Sequence, residues 1–390
     1  MIQEPNMFNR LIQFVRDEYR SNEFIPLHAP TFAGNERAYV NQTIDSTFVS
    51  SVGEFVDRFE RDMCAYTGSP SAVATMNGTA ALHIALKLVG VRAGDLVITQ
   101  ALTFVATCNA IAYCGAEPVF IDVEQRTLGL SAKALETWLA DNARVDSDGL
   151  CRTTLDAKVI RACVPMHTFG HPADLDGLVD VCQRWRIALV EDAAESLGSY
   201  YKGRHTGTFG LIGTLSFNGN KVITTGGGGM VLADEGIGTR AKYLTTTAKR
   251  PHPYEYVHDE VGYNYRLPNL NAALGCAQLE QLEGFIAAKR VLAAHYIEFL
   301  PQVGLTPIVE PDNCRSNYWL NGVICEDAAQ REALIDATNA AGVMTRPIWR
   351  LMHTLPAYEQ ARRGSLVESE WLEARVVNLP SSVPAPEPVV

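Results

Sequence analysis

The sequence of 390 residues is 47% hydrophobic and 20% charged, and it carries a formal net charge of −11. This balance is that of a folded globular protein of one or two domains and excludes a disordered or repetitive chain. The negative charge argues against a general nucleic-acid surface, and no apolar run reaches the length of a membrane span. Neither nucleic acid nor membrane is therefore an expected partner.

The first 24 residues lack a continuous apolar core and carry Glu4, Asp17 and Glu18, which does not fit a secretory signal. The nine cysteines include no Cys-x-x-Cys pair, and most lie in apolar stretches. We therefore expect reduced thiols and a cytoplasmic location. His167 and His171 are four residues apart, but too few further ligands accompany them to predict a metal site.

Residues 70–235 alternate short apolar runs with amphipathic ones. The predicted strands are 71–76, 96–99, 118–122, 159–165, 188–191 and 213–217, and the predicted helices are 78–89, 105–113 and 173–185. This alternation predicts an α/β fold with a mainly parallel sheet sandwiched by helices. Ligands of such sheets bind in the loops that follow the carboxyl ends of the strands.

The pattern changes after residue 249. Residues 250–268 are rich in Pro, Tyr and His and predict a long loop, whereas 270–290 predicts one long helix. A predicted strand at 317–324 and a predicted helix at 328–341 follow. We expect residues 1–250 to form an N-terminal helix and a large α/β domain, and residues 251–390 a smaller C-terminal α+β domain.

A single lysine, Lys221, stands between a polar turn and the four glycines at 226–229. Glycines allow a backbone to approach a bound group closely. A lysine held there could form a Schiff base with an aldehyde cofactor if its amine loses its proton. A solvated surface charge is the alternative interpretation.

Further residues fall at or after the ends of predicted strands and could complete a cofactor site. Asp192 could pair with a pyridine nitrogen, although a helix N-cap would look the same. Gly78 and Thr79 start a predicted helix, which is a phosphate cradle or an ordinary N-cap, and Ser216 could donate to the same phosphate. Phe104 could cover a ring or pack in the core. Together with Lys221 these residues predict a pyridoxal-phosphate (PLP) enzyme.

Several ordered motifs resemble the DegT/StrS-type nucleotide-sugar aminotransferases over about residues 25 to 380. The matching runs are Asn77-Gly78-Thr79-Ala80-Ala81-Leu82, Thr103-Phe104-Val105-Ala106-Thr107, Glu191-Asp192-Ala193-Ala194, Ser216-Phe217-x-x-x-Lys221, Gly262-Tyr263-Asn264-Tyr265-Arg266 and Asn378-Leu379-Pro380. The resemblance implies a fold-type-I PLP aminotransferase that uses L-glutamate as the amino donor.

The resemblance also implies roles for single residues. Lys221 would be the Schiff-base lysine and proton shuttle, and Asn264 would reach the phosphate from the neighbouring subunit, which implies a homodimer with shared active sites. The implied cofactor contacts are Gly78, Thr79, Ala80, Phe104, Asp192, Glu195 and Ser216, and the candidate substrate contacts are Arg346 and His353, either of which could instead be structural.

Two departures from the family pattern indicate a subgroup of the family and its sugar substrate. Glu195 stands where the family often has glutamine, and Gly227 stands where it often has an acid. With runs 245–249 and 258–262 they resemble the subgroup of the bacillosamine and legionaminic acid pathways, which aminates C4 of a UDP-linked 4-keto-6-deoxy-N-acetylhexosamine for cell-surface polysaccharide or lipopolysaccharide. The alternatives are the family's dehydratase branch, which carries histidine at the lysine position, and a non-catalytic nucleotide-sugar sensor.

Overall fold

The computed structural model describes residues 7–384. The α-helices are α1 (Met7–Tyr19), α2 (Glu36–Asp45), α3 (Glu54–Thr67), α4 (Gly78–Leu88), α5 (Val105–Tyr113), α6 (Ala132–Asn142), α7 (Leu175–Arg184), α8 (Glu235–Thr245), α9 (Asn269–Leu279), α10 (Leu282–Phe299), α11 (Ala328–Ala340) and α12 (Val367–Glu373). Short 3-10 helices span Thr168–Gly170, Leu300–Val303 and Met352–Thr354.

The strands are numbered in chain order. They are β1 (Ser71–Thr75), β2 (Leu96–Gln100), β3 (Glu117–Ile121), β4 (Ala143–Val145), β5 (Cys151–Thr153), β6 (Ile160–Val164), β7 (Ala188–Asp192), β8 (Tyr200–Tyr201), β9 (Arg204–His205), β10 (Ile212–Ser216), β11 (Gly229–Ala233), β12 (Lys249–Arg250), β13 (Val257–His258), β14 (Thr306–Pro307), β15 (Cys314–Arg315), β16 (Asn321–Ile324), β17 (Arg346–Pro347), β18 (Arg362–Arg363) and β19 (Val376–Leu379).

A sheet in the order β1-β11-β10-β7-β6-β2-β3-β18 forms the centre of the molecule. Only β11 runs antiparallel to its neighbours, and the other adjacent pairs are parallel. The predicted mainly parallel sheet is therefore confirmed. β11 was not predicted, because its short apolar run directly follows the glycine stretch.

Helices cover both faces of this sheet because the buried side chains of each strand alternate in direction. Helices α4, α5 and α8 pack on one face, against residues such as Val97 and Val231. Helices α6 and α7 pack on the other face, against residues such as Ile98 and Val119. α3 and α9 extend the second layer over β1, β10 and β11. Because helices cover both faces of the sheet, the carboxyl ends of the parallel strands are the place where a ligand can bind.

A second, antiparallel sheet has the order β14-β16-β19-β17. Leu11 and Val15 of α1 pack with Leu334 of α11 and Val377 of β19 in one apolar cluster. The N-terminal helix therefore packs with the smaller sheet. The division of the chain at residue 250 stays a prediction. None of the helices among residues 7–384 is long and apolar enough to cross a membrane.

The prediction of one long helix over 270–290 is wrong. α9 ends at Leu279 and α10 begins at Leu282. The Glu280 carboxylate accepts hydrogen bonds from Asn35, Tyr39 and Arg58, three residues that are distant in sequence. These tertiary contacts hold the chain at a break that no proline or glycine signals. The predicted loop 250–268 also contributes to a short hairpin of β12 and β13.

Candidate active site

A cavity of about 380 Å³ lies at the carboxyl ends of β1, β7 and β10. The predicted site residues that line it are Gly78, Thr79, Phe104, Asp192, Glu195, Ser216 and Lys221. They come from separate parts of the chain and meet because parallel strands bring their following loops to one edge of the sheet. The structure thus brings the predicted lysine, the predicted carboxylate and the predicted phosphate cradle into one cavity.

Lys221 is not a solvated surface charge, because its side chain is only 14% exposed. Its Nζ lies 3.4 Å from Glu195 Oε1 and 3.9 Å from the centre of the Trp319 ring. The Lys221 amide donates to the Asn218 carbonyl at 3.0 Å, which closes the turn that carries the lysine. A cation placed against an indole face and a carboxylate is held in one position.

The glycines after Lys221 have different roles. Gly226 has a φ of +79°, a conformation that other residues rarely adopt, so this position requires glycine. A Cβ at Gly227 would have no neighbour closer than the Met76 carbonyl at 4.0 Å. A side chain therefore has room at Gly227, the position at which the family often carries an acidic residue.

Asp192 is the last residue of β7 and is 3% exposed. Its Oδ2 accepts the Thr107 hydroxyl at 2.6 Å and its Oδ1 accepts the Ala194 amide at 3.2 Å. The next element after Asp192 is the strand β8 at Tyr200–Tyr201, not a helix, so the N-cap alternative is wrong. Burial raises the pKa of Asp192, and these hydrogen bonds partly offset the rise. A protonated ring nitrogen would compensate such a buried carboxylate.

The cradle is formed where α4 begins against the end of β10. The Asn77 side chain caps α4 by accepting the Ala80 amide at 2.8 Å. The first N–H groups of a helix have no acceptor within the helix. Because Ala80 donates to Asn77, the amides of Gly78 and Thr79 remain available to a bound phosphate. A Cβ at Gly78 would come within 2.9 Å of the Ser216 Cβ. Glycine therefore lets the helix terminus and the Ser216 hydroxyl lie side by side.

These residues fit pyridoxal phosphate. The α4 terminus and Ser216 would hold a phosphate, Asp192 would pair with the ring nitrogen, and Phe104, whose side chain is 49% exposed, would cover one face of the ring. When bound, the cofactor supplies an aldehyde that takes up an amino group and a ring that accepts electrons. Lys221 is the amine in the same cavity that would carry it.

Glu195 is the second buried carboxyl group of the cavity. Its Oε2 accepts the Phe169 amide at 2.9 Å, and its Oε1 faces Lys221. Burial raises the pKa of Glu195 to about 7, an effect that outweighs the opposite effect of the Lys221 charge. A carboxyl group that titrates near neutrality can exchange a proton with the adjacent amine. A glutamine at this position could not do so.

Four predicted site residues do not line the cavity of this chain. Ala80 is buried, with its amide already bonded to Asn77. Asn264 is exposed and its Oδ1 accepts from Arg266 Nε at 3.1 Å. Arg346 is exposed on β17, and His353 is half-buried, with a buried Nδ1 that has no partner among the described residues. Their roles in binding stay predictions.

Sequence reasoning missed several residues of the site, among them Thr107, Trp319 and Trp349. Thr107, which bonds Asp192, lies in the motif that contains Phe104, so its hydroxyl could have been noticed. Trp319 and Trp349 line the cavity from the C-terminal part of the chain. Trp349 is three residues from Arg346, but a tryptophan in an apolar stretch is usually a core residue.

We expect Gly78→Ala to weaken the binding of pyridoxal phosphate about tenfold, because the new methyl group displaces the first turn of α4 from Ser216 and costs a charge-assisted hydrogen bond. Titration of the cofactor-free protein by calorimetry measures this. Gly219→Ala is the matched control, because a Cβ there meets nothing within 4 Å. Unchanged affinity in Gly78→Ala would contradict the cradle.

Glu195→Gln should make the stability of the cofactor-free protein less sensitive to pH. The pKa of Glu195 rises on folding from 4.5 to about 7, so the folded state binds more protons between these values. The contribution of Glu195 to stability therefore falls as pH rises, by about 3 kcal/mol at most. Urea unfolding at pH 5 and pH 8 should show a larger loss for the wild type than for Glu195→Gln. Glu23→Gln, at an exposed position, should behave as the wild type; equal losses in all three proteins would contradict the assignment.

The sequence pattern of the DegT/DnrJ/EryC1/StrS aminotransferase family matches residues 30–385. The GDP-perosamine synthase of Escherichia coli O157:H7 is 36% identical over 363 residues, which cover 92% of this chain and 93% of that protein. The GDP-perosamine synthase of Caulobacter vibrioides is 34% identical over the same shares of the two chains, 92% and 93%.

The crystal structure of the aminotransferase TlmJ from Streptoalloteichus hindustanus matches with a TM-score of 0.82 at 29% identity, covering 92% of this chain and 93% of that one. This match confirms the aminotransferase fold inferred from the sequence, and the match to the family pattern confirms the pyridoxal phosphate cofactor. With the family pattern extending over nearly the whole chain and the matching residues assembled in one cavity, this protein belongs to the DegT/DnrJ/EryC1/StrS aminotransferase family.

Proposed function

We propose that this enzyme transfers the amino group of L-glutamate to the C4 ketone of a nucleotide-linked 4-keto-6-deoxy sugar. The observation that carries the proposal is the largely buried Lys221, in one cavity with Asp192 and the N-terminus of α4. Relatives that are 34–36% identical over 92% of the chain bear the name of a GDP-linked amino sugar synthase, which supports a nucleotide sugar as the acceptor.

The chain's own residues divide the work of proton transfer. Lys221 Nζ is the base that would remove a proton from the donor carbon and return one to the acceptor carbon. Glu195, 3.4 Å away, would take up or release the proton that the amine exchanges. Asp192 would keep the ring nitrogen protonated. Phe104 and Trp319 would exclude water from the faces of the reacting group.

The preferred acceptor is UDP-4-keto-6-deoxy-GlcNAc. Its support is the resemblance of Glu195, Gly227 and the runs 245–249 and 258–262 to the UDP-sugar subgroup. The names of the relatives favour a GDP-linked sugar instead. Assays with UDP-, GDP- and dTDP-linked 4-keto sugars and glutamate distinguish the two by the highest kcat/KM.

A homodimer with shared active sites and a cytoplasmic location complete the proposal, which would place the enzyme in the synthesis of a cell-surface polysaccharide or lipopolysaccharide. Asn264 is exposed and lies outside the cavity of its own chain, as expected of a residue that reaches a partner's phosphate.

The two alternative functions, a dehydratase and a non-catalytic sensor, have less support. A dehydratase of this family would carry histidine in place of Lys221, and a sensor would not require a buried lysine.

Lys221→Ala should abolish turnover, because no other amine lines the cavity within residues 7–384. Borohydride reduction followed by mass spectrometry should show covalently attached cofactor in the wild type and none in the variant. Lys202→Ala, an exposed lysine paired with Asp176, serves as the control and should keep both properties. Activity in Lys221→Ala would refute the proposed chemistry.

Mixing two inactive variants tests the shared site. In a dimer of one Lys221→Ala chain and one Asn264→Ala chain, one site would combine the intact lysine with the intact asparagine. Random mixing should restore about one quarter of the sites. If Asn264 acts within its own chain, every site in the mixture lacks one of the two residues, and no activity returns.

A further inference from the structure

Trp349 occupies a part of the cavity that the cofactor residues do not account for. Its half-buried ring lines the cavity and meets Phe104 edge-on, with ring centres 6.5 Å apart and planes at 62°. Phe104 is the residue that would cover the cofactor ring. Trp349 therefore stands beside Phe104, on a part of the cavity wall that none of the predicted cofactor contacts occupies.

The indole N–H of Trp349 has no acceptor among residues 7–384. The other cavity tryptophan differs, because Trp319 donates its N–H to the Asn220 carbonyl at 2.6 Å. Solvent reaches this nitrogen, so its N–H can donate to water or to a ligand. The unpaired donor at the cavity wall is thus available to an oxygen atom of a ligand.

Trp349 is held in place from behind by Phe169. The two ring centres are 5.4 Å apart, and Phe169 is fully buried. Phe169 has a φ of +59°, which is rare for a residue with a side chain. Its amide donates to Glu195 at 2.9 Å, so the strained backbone is anchored on the cavity's own carboxylate. The indole is therefore a preorganised wall rather than a mobile side chain.

The chemistry of this wall selects between the two reactants. Glutamate carries two carboxylates, which require cations, and an indole does not neutralise a carboxylate. A hexose presents an apolar C–H face that packs on an aromatic ring and carries oxygen atoms that accept from an N–H. The aromatic face therefore suits the C–H face of a sugar better than the two carboxylates of glutamate, whereas the N–H could donate to an oxygen atom of either.

We infer that Trp349 is a specificity-determining residue of the acceptor site, where its ring packs on the sugar and its N–H donates to a sugar oxygen. This inference rests on the proposed function, since it requires a sugar acceptor.

The test separates the two half-reactions of the cofactor-loaded enzyme in Trp349→Phe and Trp349→Ala. Trp349→Phe keeps the aromatic face and loses the N–H, and it should weaken binding of the nucleotide-linked amino sugar product about fivefold in calorimetry. Trp349→Ala should lower kcat/KM for the keto sugar by roughly 100-fold. In both variants the loss should fall mainly on the sugar half-reaction, with a smaller effect on the glutamate half-reaction followed by cofactor absorbance.

Two other tryptophans provide the comparison. Trp319→Phe should impair both half-reactions, because Trp319 contacts Lys221. Trp371→Phe, on α12 and packed against the core, should leave both unchanged.

If both Trp349 variants bind the product sugar as the wild type does, or lose both half-reactions equally, the inference is overturned while the proposed function stands. If the wild type accepts glutamate but no nucleotide-linked keto sugar, the proposed function fails and the inference fails with it.

Discussion

The burial of Asp192 and Glu195 beside the largely buried Lys221, at one edge of the sheet, is the constraint on which the site depends. Removing a charge from water is costly unless hydrogen bonds or an opposite charge compensate it. Thr107 and a backbone amide satisfy Asp192, while Glu195 is shared between Lys221 and the Phe169 amide. Two carboxyl groups thus face one amine. A protonated pyridine ring would supply the missing positive charge, and until then burial favours the protonated form of Glu195.

The sheet topology makes this arrangement possible. β7 and β10 are parallel neighbours, so Asp192 and Ser216 end at the same edge. β11 then returns antiparallel to β10, and the Phe217 amide donates to the Gly228 carbonyl at 2.8 Å. This hydrogen bond closes residues 217–228 into a loop at the strand ends, and Lys221 lies in that loop. A parallel continuation would have carried the chain across the sheet and away from the edge.

Much of the fold and half of the site followed from sequence patterns alone. Alternating apolar runs predicted each of the central parallel strands from β1 to β10, because burial on both faces requires apolar residues throughout such strands. The break between α9 and α10 could not be predicted in this way. It depends on Glu280, whose hydrogen-bond partners lie more than two hundred residues earlier in the chain. The positive φ of Phe169 likewise accompanies contacts with distant residues, since its amide donates to Glu195 and its carbonyl accepts the Leu320 amide.

By itself the sequence determined which reactive groups the protein has and in which loops they lie. Asp192 and Ser216 end short apolar strands, and Gly78 and Lys221 follow such strands. The alternation of strands with helices already implies that the ends of these strands face one way. The tertiary structure alone decided which residues close the cavity. In the sequence, Trp319 and Trp349 look like ordinary core tryptophans. Only the packing of the C-terminal part of the chain against the strand ends places them in the wall of the cavity. Local patterns report burial, whereas the direction of a buried side chain is set by distant neighbours.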